Sequence, residues 1–193
     1  MEEEKTFDKI IISDTLQGVG TGNLEGYLAH ALCLSGSMKF DFNGNHFNLQ
    51  AGDLMIVRKG KLIENISYTD DFKVRVIYVE AGYIEHCTPQ SNYGMKGQLA
   101  LFMNPVMKLN DKQFDLCMKD FDSVEYRFKT TGFVFYEESI RCAVQLMILD
   151  FFDFHAYNYG EDSVSSQYAV IMNKFLAMLE NGDYRHNREV TYY

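Results

Sequence analysis

Apolar residues recur at every second position through the first half of this chain, and at three- and four-residue steps through the second half. A period of two belongs to a strand with one buried face, and a period near 3.6 to an amphipathic helix. The first half therefore reads as sheet and the second as helix. Leu28, His30, Leu32 and Leu34 share one strand face, with Ala29, Ala31 and Cys33 on the other. Met38, Phe40 and Phe42 alternate with Lys39, Asp41 and Asn43. Asn43-Gly44 then supplies the positive φ angles of a tight hairpin turn, and Phe47 and Leu49 resume the pattern. Gly52-Asp53 turns the chain again, into a Leu54–Val57 segment that is apolar on both faces. From Phe72 to Val79, Val74, Val76 and Tyr78 lie opposite Arg75, Ile77 and Val79. Short strands, regular turns and no intervening helix predict a small antiparallel barrel or double-sheet roll over residues ~20–82.

The change of period falls in a segment that carries both prolines, Pro89 and Pro105. Beyond it, Asn110 and Gln113 have the spacing of a capping box, and Phe114, Cys117, Phe121, Val124 and Phe128 follow on one helical face. Thr130-Thr131-Gly132 interrupts. A second helix is expected from about Tyr136 to Tyr157, with Ile140, Val144, Met147 and Phe151 on one stripe and Asn158-Tyr159-Gly160 at its end. A third is expected near Ser166 to Glu180, with Asn181-Gly182 as its cap. The fold class is α+β. Cys142, Leu146 and Leu149 form another line on the second helix, about 180° from the main stripe at 100° per residue. A helix apolar on two faces wants two partners: the barrel on one side, and on the other either a second subunit or the third helix.

Charge and cysteine usage narrow the function. The formal net charge is −9, and the tight basic cluster is Arg58, Lys59 and Lys61 around Gly60, which reads as a solvated turn. Such a chain is a poor nucleic-acid binder by itself, because binding a phosphate backbone needs Lys and Arg. Cys33, Cys87, Cys117 and Cys142 show no C-x-x-C spacing and read as buried, reduced thiols. The N-terminus lacks the apolar core of a signal peptide, and no apolar run approaches the ~20 residues that span a bilayer. A cytoplasmic chain without membrane contact is expected.

Residues Leu34 to Gly60 resemble a cupin strand pair, Leu34-Ser35-Gly36-Ser37-Met38 with Leu49-Gln50-Ala51-Gly52-Asp53-Leu54-Met55-Ile56-Val57. The resemblance does not extend to metal ligands. Where a metal-dependent cupin carries two His and a Glu, this chain has Asn23-Leu24-Glu25 and Ala29 or His30. The later Pro, Gly and His positions read Arg58, Gly60 and Ile63. Several ligands must converge on one ion, so neither a metal nor another cofactor is expected. His46 follows the hairpin turn and should be exposed, and His155 extends the main helical stripe as a packed core residue. His30 is either a satisfied core histidine or a pocket-lining residue. No catalytic triad signature, Gly-rich phosphate loop or nucleophile elbow appears, and Gly18-Val19-Gly20-Thr21-Gly22 reads as a flexible entry loop.

The order of parts in the second half resembles the AraC family of transcription regulators. Asn104-Pro105-Val106 with Leu109-Asn110 resembles the family's junction between barrel and first helix, and Ser139 to Asp153 its packing helix. Gln167 to Leu179 resembles the helix that opens the C-terminal region, and Asn187-Arg188-Glu189-Val190-Thr191-Tyr192-Tyr193 the start of a helix-turn-helix unit. The resemblance implies three parts: a cupin-like effector-binding barrel over 1–104, a helical packing and dimerisation segment over 105–160, and a linker helix with the start of a truncated DNA-binding domain over 161–193. It further implies a regulator rather than an enzyme, a small organic effector, a homodimer, and DNA contact only through a C-terminal domain beyond this chain. The expected effector-lining residues are His30, Met38, Phe40, Arg75 and Tyr78, which mix apolar surface with a few polar groups. Arg75 and Tyr78 lie on opposite strand faces, so at most one of the two should reach the cavity. The expected dimer face is Cys142, Leu146 and Leu149. The alternatives are a small cupin enzyme, an isomerase or dioxygenase, and a cupin-like scaffold without ligand.

Overall fold

A computed structural model describes residues 7–88, 100–101, 103–160 and 171. Among the described residues, eight strands form two antiparallel sheets. The strands are β1 (Ile10–Ser13), β2 (Tyr27–Ser35), β3 (Ser37–Phe42), β4 (Asn45–Gln50), β5 (Asp53–Val57), β6 (Ile63–Tyr68), β7 (Lys73–Glu80) and β8 (Val106–Lys108). The larger sheet has the order β1-β7-β2-β5-β8 and the smaller β4-β3-β6. The helices that pack on these sheets are α1 (Ala81–Cys87), α2 (Asp111–Lys129) and α3 (Tyr136–Tyr159). The α+β class and the antiparallel roll followed by helices match expectation. The sheets reach further than residues 20–82, because β1 and β8 add an edge on each side of the larger sheet. Both are short, and neither Ile10-Ile11-Ile12 nor Val106-Met107-Lys108 alternates clearly enough to declare itself. The third expected helix and the 187–193 stretch lie outside the described residues.

Local chemistry explains the turns and ends. Asn43 and Gly44 take φ of 50° and 78°, so a left-handed pair closes the β3–β4 hairpin. The Asn110 side chain accepts from the Gln113 backbone N–H at 3.1 Å, and the Gln113 side chain accepts from the Asn110 N–H at 3.0 Å. This reciprocal capping box starts α2. The Tyr136 hydroxyl donates to the Phe128 carbonyl at 2.7 Å and ties the start of α3 to the end of α2. At the other end the Asn158 amide donates to the Lys108 carbonyl at 2.7 Å, fixing α3 to β8. The 18–22 stretch is turned rather than loose: Val19 and Thr21 donate to the Leu16 and Gly18 carbonyls. Leu16 and Val19 are buried with the inter-sheet side chains, so this segment is anchored to that core.

The larger sheet carries a core on each face. Between the sheets, Ala29, Ala31 and Cys33 of β2 meet Met38, Phe40, Phe42, Leu49, Met55, Val57, Val74, Val76 and Tyr78. On the opposite face, Leu28, Leu32, Leu54, Ile56, Ile77 and Val79 pack under Cys117, Phe121 and Val124 of α2, and under Ile140, Val144, Met147 and Phe151 of α3. The predicted main stripes of both helices are therefore the buried ones. Cys33, Cys87 and Cys117 are buried, whereas Cys142 is exposed, contrary to the expectation of four buried thiols.

Candidate functional site

Period two decides what each strand shows to the helices. On β5, Leu54 and Ile56 face α2 and α3, and Arg58, two residues further, comes out on that same side. On β2, Leu28, His30 and Leu32 share this face, with His30 in register with Ile56. Helices α1 and α3 cover these strands with Ile84, Ile148, Phe151, Phe152 and His155. The two layers do not meet completely, and a cavity of about 50 Å³ remains between them. Its walls are mainly apolar, and His30, Arg58, Thr88 and His155 are its polar members.

His30 is 3% exposed and lies beside the Phe151 ring, centroids 6.0 Å apart. Its Nδ1 is 3.2 Å from the Ile77 carbonyl oxygen. A carbonyl only accepts, so Nδ1 carries the proton and Nε2 keeps a lone pair. Burial holds the imidazole down to about 4, opposed by the Ile77 hydrogen bond and reinforced by the nearby Arg58 cation. Burial lowers His155 as well. Both rings are thus neutral at neutral pH, and the cavity offers hydrogen-bonding groups without a buried imidazolium.

The five residues expected to line one interior are divided between the two cores. His30 lines the helix-side cavity. Met38, Phe40 and Tyr78 lie between the sheets, all fully buried, and the Tyr78 hydroxyl donates to the Thr15 carbonyl at 3.1 Å. Burial pushes this phenol up to about 12. Arg75 points to the helix side, away from Tyr78, and donates to Asp122 at 2.7 Å and Glu125 at 2.8 Å. Its guanidinium also stands over the Phe121 ring, 5.7 Å from the centroid. Arg75 thus clamps α2 to β7. Sequence reasoning missed Arg58, Thr88, Ile148 and Phe152 as cavity walls. The signal for Arg58 was available, since it continues the Leu54, Ile56 alternation by one step.

A second polar feature lies between α2 and α3. Asp120 is 5% exposed, and its Oδ2 has no hydrogen-bond partner within the protein. Burial first, and then the charge and hydrogen bond of Asp150, push its carboxyl well above the ordinary range. Asp150 is also raised, by burial.

On the outer flank of α3, Cys142 is exposed, Leu146 is 54% exposed and Leu149 is 44% exposed. His46 is exposed and pairs with Asp41, whose other oxygen accepts from Asn65 at 2.6 Å. Among the described residues no group of three or more His, Cys, Asp or Glu side chains is placed to hold a metal ion. Among the same residues no helix is long and apolar enough to cross a membrane. No curated protein matches the chain. Residues 29–112 match the AraC-like ligand binding domain family, a stretch that begins in β2 and reaches the first turn of α2.

Proposed function

We propose that the chain is the effector-sensing and dimerising part of a cytoplasmic DNA-binding transcription regulator, and that it binds a small organic molecule without a metal. The observation that carries this reading is the cavity lined by His30, Arg58, Thr88 and His155 under α1 and α3, within a chain whose strands match a ligand binding domain family. Ligand sites are largely apolar recesses with a few placed polar groups, and this cavity has that make-up. In this reading His30 contacts the effector, Met38, Phe40 and Tyr78 form the rigid wall behind the strand, and Arg75 holds α2 in place. Residues 1–104 sense, 105–160 pack and dimerise, and 161–193 lead towards a DNA-reading domain. The dimer forms through Cys142, Leu146 and Leu149, because an exposed apolar stripe beside a buried one is most cheaply covered by its own copy.

A thermal-shift screen of sugars, carboxylates and aromatic compounds tests the sensor reading. One class should raise the melting temperature with saturation, since binding to the folded state stabilises it by RT ln(1 + [L]/Kd). Chelators should leave the melting temperature unchanged. A response to divalent metals alone, or turnover of a screened compound, would replace the reading with a cupin enzyme.

A further inference from the structure

We infer that the seam between α2 and α3 is a proton-sensitive latch, closed while Asp120 is a neutral acid and loosened once it ionises. Asp120 of α2 is almost fully buried, and its Oδ2 meets no donor within the protein. Across the seam α3 presents Asp150, which is partly buried. Neither helix supplies a compensating cation beside them. Leu116, Cys117, Ser123 and Val124 stand three and four residues from Asp120, and Leu146, Met147, Asp153 and Phe154 from Asp150. The cation that β7 brings to α2, Arg75, is held by Asp122 and Glu125. The Cys117 thiol is raised, by burial first and then by Asp120, and stays neutral. His30 and His155 under α3 are lowered by burial and bring no charge at neutral pH.

A charged oxygen without a donor is costly to bury, and a second carboxylate beside it adds repulsion. The neutral acid avoids both. Its hydroxyl donates to Asp150, and this contact favours the proton on Asp120 and the charge on Asp150. Oδ2 is then a carbonyl oxygen, which costs less to leave unpaired than a charged one. When Asp120 ionises, the donor is lost and two negative groups face each other across the seam. Burial and Asp150 push this carboxyl up to about 7 when folded, so its contribution is present in acid and is lost as pH rises through neutrality. The effect reaches the outer flank of α3, because Leu146 stands one turn before Asp150 on the helix surface. A seam that loosens there no longer holds Leu146 and Leu149 in one geometry, so the dimer should weaken as pH rises. This last step alone rests on the dimerising reading above.

The test compares the purified chain with Asp120→Asn, which keeps the shape and a donor towards Asp150 but cannot ionise. Amide exchange of α2 and α3 is followed in both, and the ratio of the two rates is taken at each pH. The ratio cancels the chemical exchange rate and the titration of His30. It should rise about tenfold between about pH 6 and pH 8, within the limit of about tenfold per pH unit for one proton. A flat ratio would overturn the latch. Should Asp120→Asn not fold, carboxyl-carbon NMR of the unaltered chain decides. Asp120 should titrate near neutrality, and Asp150→Asn should lower its midpoint. A midpoint in the ordinary carboxylate range would overturn the latch. So would slower exchange on adding Mg²⁺ or Ca²⁺ that Asp120→Asn abolishes, which would make the pair a cation site. Sedimentation at the same two pH values separates latch from dimer. Dissociation should increase with pH in the unaltered chain and not in Asp120→Asn, and a dimer equally tight at both values would overturn the step to assembly. Monomer at both values removes the dimer reading, while the exchange ratio still decides the latch.

Discussion

Between the two sheets, Met38, Phe40, Phe42 and Leu49 meet Ala29, Ala31 and Cys33, large against small, and the Tyr78 hydroxyl is held by Thr15. On the other face of the same sheet, His30, Gln113, Asp120 and His155 are buried among the apolar side chains, one carboxylate oxygen has no partner, and a cavity remains. Both cores bury aromatic and aliphatic groups, so composition alone does not separate them. They differ in what a change of conditions can do. The inter-sheet core has little to protonate and is packed like an interior meant to stay fixed. The helix-side core keeps groups whose charge state depends on pH and an unfilled space, each of which costs stability. The contrast assigns rigidity to one face of the sheet and response to the other.

The most direct way to break this contrast is Phe40→Ala. It should destabilise the fold by about 3–5 kcal/mol in urea unfolding, as large-to-small changes in closed cores do, and leave the ligand preference of surviving folded protein unchanged. A cost under about 1 kcal/mol would mean that the inter-sheet core is loose.

The helix-side core should reveal itself through pH. His30 is held below its ordinary value when folded, so the unfolded chain binds more protons between pH 4 and 6.5. Its contribution to stability is present above 6.5 and is lost as pH falls towards 4. Asp120 is raised when folded, so the folded chain binds more protons above the ordinary carboxylate range. Its contribution is greatest in acid and is lost as pH rises towards neutrality. The two slopes oppose each other, each at most about 1.4 kcal/mol per pH unit for one proton. Urea midpoints of the unaltered chain should therefore vary little from pH 4.5 to 6.5. His30→Gln should expose a fall in stability with rising pH, and Asp120→Asn a rise. Parallel profiles in both variants would show that these groups do not titrate as buried partners of the fold.

The smallest expected effect on folding comes from the outer stripe of α3. Leu146→Lys with Leu149→Lys should convert a dimer to a monomer in sedimentation, while unfolding of the monomer shifts by no more than about 0.5 kcal/mol, because both side chains are half-exposed within one chain. Unchanged sedimentation would place the partner contact elsewhere or remove it.

Much of this architecture was legible in the sequence, and the exceptions share a cause. Asn43-Gly44, the Asn110 and Gln113 pair and the two helical stripes are local signals, readable within a few residues. On β3 the alternation of buried Met38, Phe40 and Phe42 with Lys39 and Asp41 also told which side faced inward. β2 gave no such direction, because every residue from Leu28 to Cys33 is buried. Its pattern fixed that His30 shares a face with Leu28 and Leu32, and left open which core that face entered. Arg75 meets Asp122 and Glu125 from 47 and 50 residues away, a separation no local pattern encodes. The cavity walls come from β2, β5, β8, α1 and α3, and only the packing of layers brings them together.

Helix α3 touches the cavity with Ile148, Phe151 and His155, carries Asp150, whose carboxyl burial raises, and presents Leu146 and Leu149 on its outer flank. A helix whose side chains reach about 5–6 Å from its axis works as a roller. A turn of about 10° about that axis sweeps each of those tips by roughly 1 Å, in opposite senses on opposite flanks. Its ends are pinned, by Tyr136 to α2 and by Asn158 to β8, so sliding is resisted more than rolling. Pressure on Ile148 or Phe151 would thus reach Leu146 and Leu149 as torque, without any strand having to move.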